Sequence, residues 1–245
     1  MSDVLVIVPT YNEFESLPVL LDRLRRAVPD ADVLIIDDAS PDTTGRLADS
    51  IAAADAAVTV LHRPAKDGLG RAYLAGFTVA RERGYDFVVQ IDADGSHDPE
   101  ELVAMIALAR GGAELVIGSR WVPGGSVSNW PWLRQAISRG GNVYARVALR
   151  SRIRDITAGF RVFRISALVG LHAESISSQG YCFQVEMAWR IERAGRVVVE
   201  HPITFVERAN GRSKMGRAIV LEALLRVTGW GVGEWLRPRA ATPRV

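Results

Sequence analysis

Asp92 and Asp94, separated only by Ala93, close the run Phe87-Val88-Val89-Gln90-Ile91. Two carboxylates held close together repel, and the repulsion raises the pKa of one of them unless a cation intervenes. A hard divalent ion such as Mg2+ or Mn2+ removes that penalty and bridges to phosphate oxygens. The chemistry expected of the pair is metal-assisted handling of a diphosphate. Two further polar clusters follow apolar runs in the same way: Pro9-Thr10-Tyr11-Asn12-Glu13 after residues 4–8, and Asp37-Asp38-Ala39-Ser40-Pro41-Asp42 after residues 33–36. Asn12 reads as a cap for a helix that follows at once. Asp42 and His97 read as caps of the helices after their own loops, with a place near the metal as the alternative for His97.

The elements that position these clusters alternate in type. Apolar strands are expected at 4–8, 33–36, 58–61, 87–91 and 115–117, and amphipathic helices at 15–28, 43–54, 70–83 and 99–110. That rhythm specifies an α/β fold, a mostly parallel sheet with helices on both faces. In such sheets ligands bind at the carboxyl edge, where the three polar clusters converge, so a nucleotide is expected there. After Gly118-Ser119-Arg120 the pattern turns irregular. The segment from Trp121 to Trp132 is too apolar for a mere connector and reads as a lid or a lipid-facing surface. A helix at 133–149, a strand at 160–163, a helix at 183–194 and a strand at 197–202 follow. The last helix, 217–236, is interrupted by Glu222, Arg226 and Glu234 and falls short of the ~20 apolar residues needed to cross a bilayer. Lying in a membrane interface and packing on the protein's own core are both open to it.

The 245 residues are 48% hydrophobic and 24% charged, which suits a globular chain with a sizeable core. One cysteine, Cys182, and four scattered histidines exclude a disulfide framework and a zinc cluster built from them. Cys182 reads as buried filler. Residues 1–3 lead directly into a strand, with no secretory pattern, so a cytoplasmic protein is expected. The net charge of +2 divides into −4 over residues 1–207 and +6 over 208–245. The basic end calls for an anionic partner. Apolar residues beside those charges favour a membrane surface or a phosphorylated substrate over nucleic acid.

Taken together, the clusters resemble the family-two glycosyltransferases of the GT-A fold, and within them the dolichol- or polyprenol-phosphate mannosyltransferases. The matching residues are the three clusters above, Gly68-Leu69-Gly70, Gly118-Ser119-Arg120, Thr157-Ala158-Gly159-Phe160-Arg161, Gly180-Tyr181-x-Phe183-Gln184-x-Glu186-Met187 and Phe205-x-x-Arg208-x-x-Gly211-x-Ser213-Lys214. They span residues 4 to about 216. The resemblance implies a GT-A catalytic domain over 1–207, and a basic acceptor loop with a C-terminal amphipathic helix over 208–245. It implies inverting transfer of mannose from GDP-mannose to a polyprenyl phosphate, with Mg2+ or Mn2+ as cofactor.

By the same resemblance Pro9, Tyr11, Glu13, Ile36 and Asp38 hold the nucleotide, and Asp92, Ala93 and Asp94 hold the metal and diphosphate. Asp92, Asp94 and Arg120 are the expected catalytic residues. Ser96, at the next alternate position, would be a weak further ligand. Arg120, Arg208 and Lys214 would gather the donor and acceptor phosphates, with Arg134 and Ser138 as additional acceptor ligands. Gln184 and Glu186 are polar supports within a packing pattern. A phosphate acceptor is already anionic near neutral pH, so no general base is required. Longer members of the family carry transmembrane helices after the catalytic domain. Here membrane access would come from the basic, Trp-bearing end, from the 121–132 loop or from a membrane-anchored partner protein, with the chain peripheral on the cytoplasmic face. The alternatives are sugar transfer from a UDP-sugar to the same acceptor, transfer to a hydroxyl acceptor, and a non-catalytic binding module on the same fold.

Overall fold

The computed structural model describes residues 2–171, 176, 181–207 and 217–236, with side chains for all of these except 181 and 217–222. The chain runs β1 (Val4–Thr10), α1 (Ser16–Ala27), β2 (Asp32–Asp37), α2 (Thr44–Ala54), β3 (Val58–His62), α3 (Leu69–Glu82), β4 (Phe87–Gln90), α4 (Glu101–Arg110) and β5 (Leu115–Ser119). It continues through β6 (Ser126–Ser128), α5 (Trp132–Ala148), β7 (Arg161–Arg164), α6 (Ile165–Val169), α7 (Tyr181–Arg193), β8 (Val198–Pro202), β9 (Thr204–Val206) and α8 (Arg217–Trp235).

Seven strands form one sheet in the order β3-β2-β1-β4-β7-β5-β8. Alternation along the strands sorts side chains onto its two faces. Leu5, Ile7, Leu34, Ile36 and Val88 pack with Tyr73 and Phe77 of α3 and Phe183 and Met187 of α7. Val4, Val6, Val8, Val33, Ile35 and Val89 pack with Leu17, Leu21 and Leu24 of α1 and Leu102 and Met105 of α4. Burial of each such aliphatic side chain stabilises the fold by roughly 1.5–3 kcal/mol. Both faces are covered, which is why the strands read as continuous apolar runs.

β7 runs antiparallel to both neighbours, with Gln90 of β4 and Ile117 of β5 opposite Arg161. The reversal has a consequence for the site. It sets the start of β7, and with it residues 155–160, at the carboxyl ends of β4 and β5. A second, two-stranded parallel ribbon joins β6 to β9 above that rim. The Gly68-Leu69-Gly70 motif shapes the entry to α3. Gly68 has φ +88°, a conformation glycine adopts without strain, and a Cβ on Gly70 would lie 2.9 Å from the Phe183 ring, so glycine at 70 admits this approach of α3 to α7. α8 packs against α5 and α7, placing Val227 in the core. Among the described residues no helix is long and apolar enough to cross a membrane.

Candidate active site

The loops after β1 and β2 are stitched together by hydrogen bonds. Thr10 Oγ1 donates to Asp37 Oδ1 at 3.1 Å, and the Asp38 N–H donates to the Thr10 carbonyl at 3.0 Å. The Asn12 N–H donates to Ser40 Oγ and the Glu13 N–H to Thr44 Oγ1, at 3.1 and 3.0 Å. Asn12, Ala39 and Thr43 all hold positive φ, of 61°, 56° and 72°. Such strain in non-glycine residues persists only where surrounding bonds over-determine it, and it collects at functional loops. Asn12 is therefore not the expected helix cap. α1 starts later, at Ser16 after Glu15, and Asn12 sits in the turn that brings Tyr11 and Glu13 to the rim. Asp42 is not the N-cap of α2 either, a place taken by Thr43; from one residue earlier it accepts the Thr44 N–H at 3.1 Å and the Thr44 hydroxyl at 2.6 Å, fixing the turn into the helix.

The two aspartates after β2 have different tasks. Asp37 is an internal hub, accepting from Thr10 and from the Ser40 N–H and hydroxyl. Asp38 is buried and takes Arg63 Nη1 at 2.6 Å. Burial raises the Asp38 pKa, while the Arg63 charge and hydrogen bond oppose the shift. Beside it, the Lys66 ammonium lies 3.6 Å from the centroid of the Tyr11 ring, a cation–π contact. Glu13 accepts the Ser16 hydroxyl at 2.8 Å, and Ile36 is fully buried under the loops. Pro9, Tyr11, Glu13, Ile36 and Asp38 thus lie on two adjacent, cross-linked strand ends. Arg63 and Lys66 join them although the sequence reading passed over both. Their signal was a polar end on β3, His62-Arg63, at the same edge of the sheet.

β4 brings Asp92, Ala93 and Asp94 to the middle of that edge. Tyr73 donates its hydroxyl to Asp92 Oδ1 at 3.2 Å, and the Ser96 N–H donates to Asp94 Oδ1 at 3.0 Å. Burial, with Asp92 adjacent, pushes the Tyr73 phenol well above its usual range, so it stays protonated and donates. Among the described residues no three His, Cys, Asp or Glu side chains gather as a metal cage. Two hard carboxylates at the mouth of a sheet fit Mg2+ or Mn2+ all the same, because these ions keep several positions for water and substrate phosphate. Ser96 is buried and bound on both sides of its backbone, its carbonyl accepting the Val206 N–H at 3.1 Å.

His97 departs from expectation. It does not cap α4; Asp98 takes the Glu100 N–H instead, at 3.0 Å. The His97 ring is 3% exposed, stacked on Phe160 at 5.0 Å and edge-on to Phe205 at 5.2 Å. Burial pushes its pKa down to about 4. It is a neutral packing residue.

Arg120 also differs from a simple phosphate ligand. Its Nε and Nη2 each donate at 2.7 Å to the fully buried Asp155, its backbone N–H adds a third bond at 2.9 Å, and Nη2 reaches Thr157 Oγ1 at 3.1 Å. Its positive charge is thus already matched by a carboxylate. Trp121, Trp130 and Phe205 surround the guanidinium with ring centroids 5.5–5.8 Å away. The Trp121–Trp132 segment therefore divides. Trp121 and Trp130 pack on Arg120, while Trp132 is 77% exposed at the start of α5. Arg134 pairs with Glu207 and lies over the Trp130 ring at 4.0 Å. Ser138, one turn along α5, gives its carbonyl to Asn142. Asn142 in turn bonds Thr157 Oγ1 at 3.0 Å, tying α5 to the 155–160 loop.

Arg161 holds that loop from below. It is fully buried and donates at 2.8 Å to the carbonyls of Ile156, Ala158 and Gln184, and burial pushes its pKa down to about 9. Glu186 pairs with Arg190 at 2.5 Å, and Cys182 is buried. Asp155, Asn142 and Tyr73 were not singled out from the sequence. Arg208 and Lys214 lie outside the described residues, as do Gly180, Gly211 and Ser213. The Glu222 side chain also falls outside the described residues.

Three comparisons with known proteins bear on this geometry. Residues 5–170 match the model of glycosyl transferase family 2. An undecaprenyl-phosphate mannosyltransferase of Micrococcus luteus is 55% identical over 239 residues, covering 96% of this chain and 98% of its own. A polyprenol monophosphomannose synthase of Mycolicibacterium smegmatis is 50% identical, over 93% of this chain and 86% of its own. Among solved structures, a mannosyltransferase from Pyrobaculum calidifontis in complex with GDP-Man and Mn2+ superposes with a TM-score of 0.63 at 18% identity, covering 98% of this chain and 66% of its own. That last likeness is one of fold.

Proposed function

The chain belongs to glycosyl transferase family 2, and on that premise we propose that it transfers mannose from GDP-mannose to a polyprenyl phosphate, with inversion at C1, to give a β-linked polyprenyl-phosphate mannose. It is a glycosyltransferase. The observation that carries the sugar and the acceptor is identity of 50% or more, nearly end to end, to two relatives named for mannosyl transfer to polyprenyl phosphates.

In this reading Pro9, Tyr11, Glu13, Ile36 and Asp38 hold the nucleoside, with the Asp38 carboxyl paired to Arg63. Asp92 and Asp94, flanking Ala93, hold Mg2+ or Mn2+, which when bound neutralises charge developing on the diphosphate leaving group. The acceptor phosphate is itself the nucleophile, so the residues around it have to collect anions and align them for in-line attack. Arg120 serves this as a fixed dipolar element with Asp155, and Arg134 and Ser138 stand on the adjacent face of α5. Arg208 and Lys214 supply further cations. Glu207, the residue before Arg208, donates its N–H to the Ser128 carbonyl at 3.2 Å and pairs with Arg134.

We place the protein peripherally on the cytoplasmic face of a membrane. Support comes from exposed Trp132, Leu133 and Ile137 on α5, Leu225 and Trp235 on α8 and Leu236 just past its end, with Arg134 and Arg226 on the same two helices. Residues 1–207 then act as the catalytic domain, and 208–245 as the acceptor loop and interfacial helix. A membrane-anchored partner protein would serve the same end.

Nucleotide titration in the presence of Mn2+ tests the donor. GDP binding at least 10-fold tighter than UDP is expected. Tighter UDP binding would sink the mannose assignment in favour of a UDP-sugar, and binding without turnover on any acceptor would favour a non-catalytic module.

A further inference from the structure

We propose that Tyr73 is a positioning residue that sets the rotation of the Asp92 carboxylate and so prepares it for the divalent ion. The inference rests on the metal reading above and deepens it.

A carboxylate at the end of a strand turns easily about its last bond, because that torsion has broad minima. Something must therefore choose which oxygen faces the ligand. Tyr73 engages Oδ1 from inside the protein at 3.2 Å. The other oxygen, Oδ2, faces Gly159, where even an added Cβ would remain 3.7 Å away. The tyrosine cannot easily leave this post. Its side chain is fully buried, and its ring is stacked between Phe77 and Phe183, with centroids 6.5 and 6.4 Å away and interplanar angles of 23° and 7°.

Packing alone does not account for the hydroxyl. A phenylalanine would fill the same slot between two phenylalanines and bury no polar atom, whereas a buried hydroxyl has to be matched by an acceptor. The acceptor here is one of the two carboxylates assigned to the metal. Hydrogen-bond partners of this kind change metal affinity by roughly 10–100-fold when removed.

The test is Mn2+ binding in the presence of GDP, followed by electron paramagnetic resonance of the free ion, for wild type, Asp92→Asn, Tyr73→Phe and Tyr73→Met. Both Tyr73 variants lack the hydroxyl and keep an apolar filler, so either one that folds gives the answer. The expected result is a Kd for Mn2+ raised about 10-fold or more in the Tyr73 variants. Turnover should be recovered in large part at saturating Mn2+, a shift in metal dependence rather than in maximal rate. A purely structural tyrosine would lower thermal stability and leave the Mn2+ Kd within twofold of wild type, which would overturn the inference. Failure of the wild type to bind Mn2+, or Asp92→Asn binding it as wild type does, would instead overturn the metal reading itself.

Discussion

At the β1–β2 side of the rim, carboxylates are held mainly by neutral donors and at their edges by cations. Asp37 is bonded by hydroxyls and an N–H, while the buried Asp38 pairs with Arg63, whose guanidinium also reaches toward the exposed Asp67. At the β5 side one carboxylate, Asp155, is sealed against one guanidinium and wrapped in aromatic rings. The first arrangement leaves groups that can exchange partners with a ligand. The second spends its charges on each other and fixes the geometry around them. The rim thus separates recognition from rigidity. Residues of one chemical type, Asp and Arg, act in opposite ways according to whether the pair is closed on itself or shared with exposed neighbours.

The sharpest way to break this contrast is to neutralise one carboxylate in each setting. Asp94→Asn is expected to lower turnover more than about 1,000-fold, since loss of metal-assisted charge stabilisation is worth several kcal/mol, while unfolding curves stay near wild type. Asp155→Ala should show its largest effect on stability. It strands a buried guanidinium, and urea unfolding should register a loss of about 3–5 kcal/mol. An Arg120→Met, Asp155→Leu double variant should recover much of that stability, because apolar pairs of similar volume replace buried ion pairs with little penalty. Equal destabilisation by Asp94→Asn and Asp155→Ala would erase the distinction.

A smaller effect is expected from His97, which belongs to the sealed side. Its folded pKa of about 4 lies below the ordinary 6.5 because burial disfavours the charged ring. The unfolded chain therefore binds the extra proton first as pH falls. The stability His97 contributes is full above pH 6.5 and is lost as pH drops toward 4, by about 2–4 kcal/mol in all. Comparing unfolding free energies of wild type and His97→Phe at pH 7 and pH 4.5 checks this, and the variant should show the shallower dependence. The smallest effect is on the open side. Arg63→Met should weaken nucleotide binding about 10-fold, the loss of one charge-assisted contact to Asp38, and cost about 1–3 kcal/mol in urea unfolding, because Asp38 is left buried without its cation.

The same contrast explains what was legible in the sequence. The ends of β1, β2 and β4 could be read because parallel strands deliver their polar ends to one edge, and chain order alone puts Tyr11, Asp38 and Asp92 together. Arg63 and Lys66 obey that rule at the end of β3 and were missed only because the cluster there is less acidic. Asp155 was beyond reach for a different reason. Its pairing with Arg120 spans 35 residues and depends on β7 entering the sheet in reverse, which no local pattern announces. The β6–β9 ribbon, three residues a strand with partners 78 apart, left no periodic trace. His97 read as a cap because its position before a helix is visible in sequence and the rings of Phe160 and Phe205 beside it are not.

The central claim is mannosyl transfer to a lipid phosphate. It is tested most directly by incubating the purified protein with GDP-mannose and a short-chain polyprenyl phosphate, with and without EDTA, and identifying the product by mass and anomeric configuration. The account predicts a β-linked polyprenyl-phosphate mannose that forms only when divalent metal is present. Mannose transferred to a water-soluble saccharide but not to the lipid phosphate would contradict it.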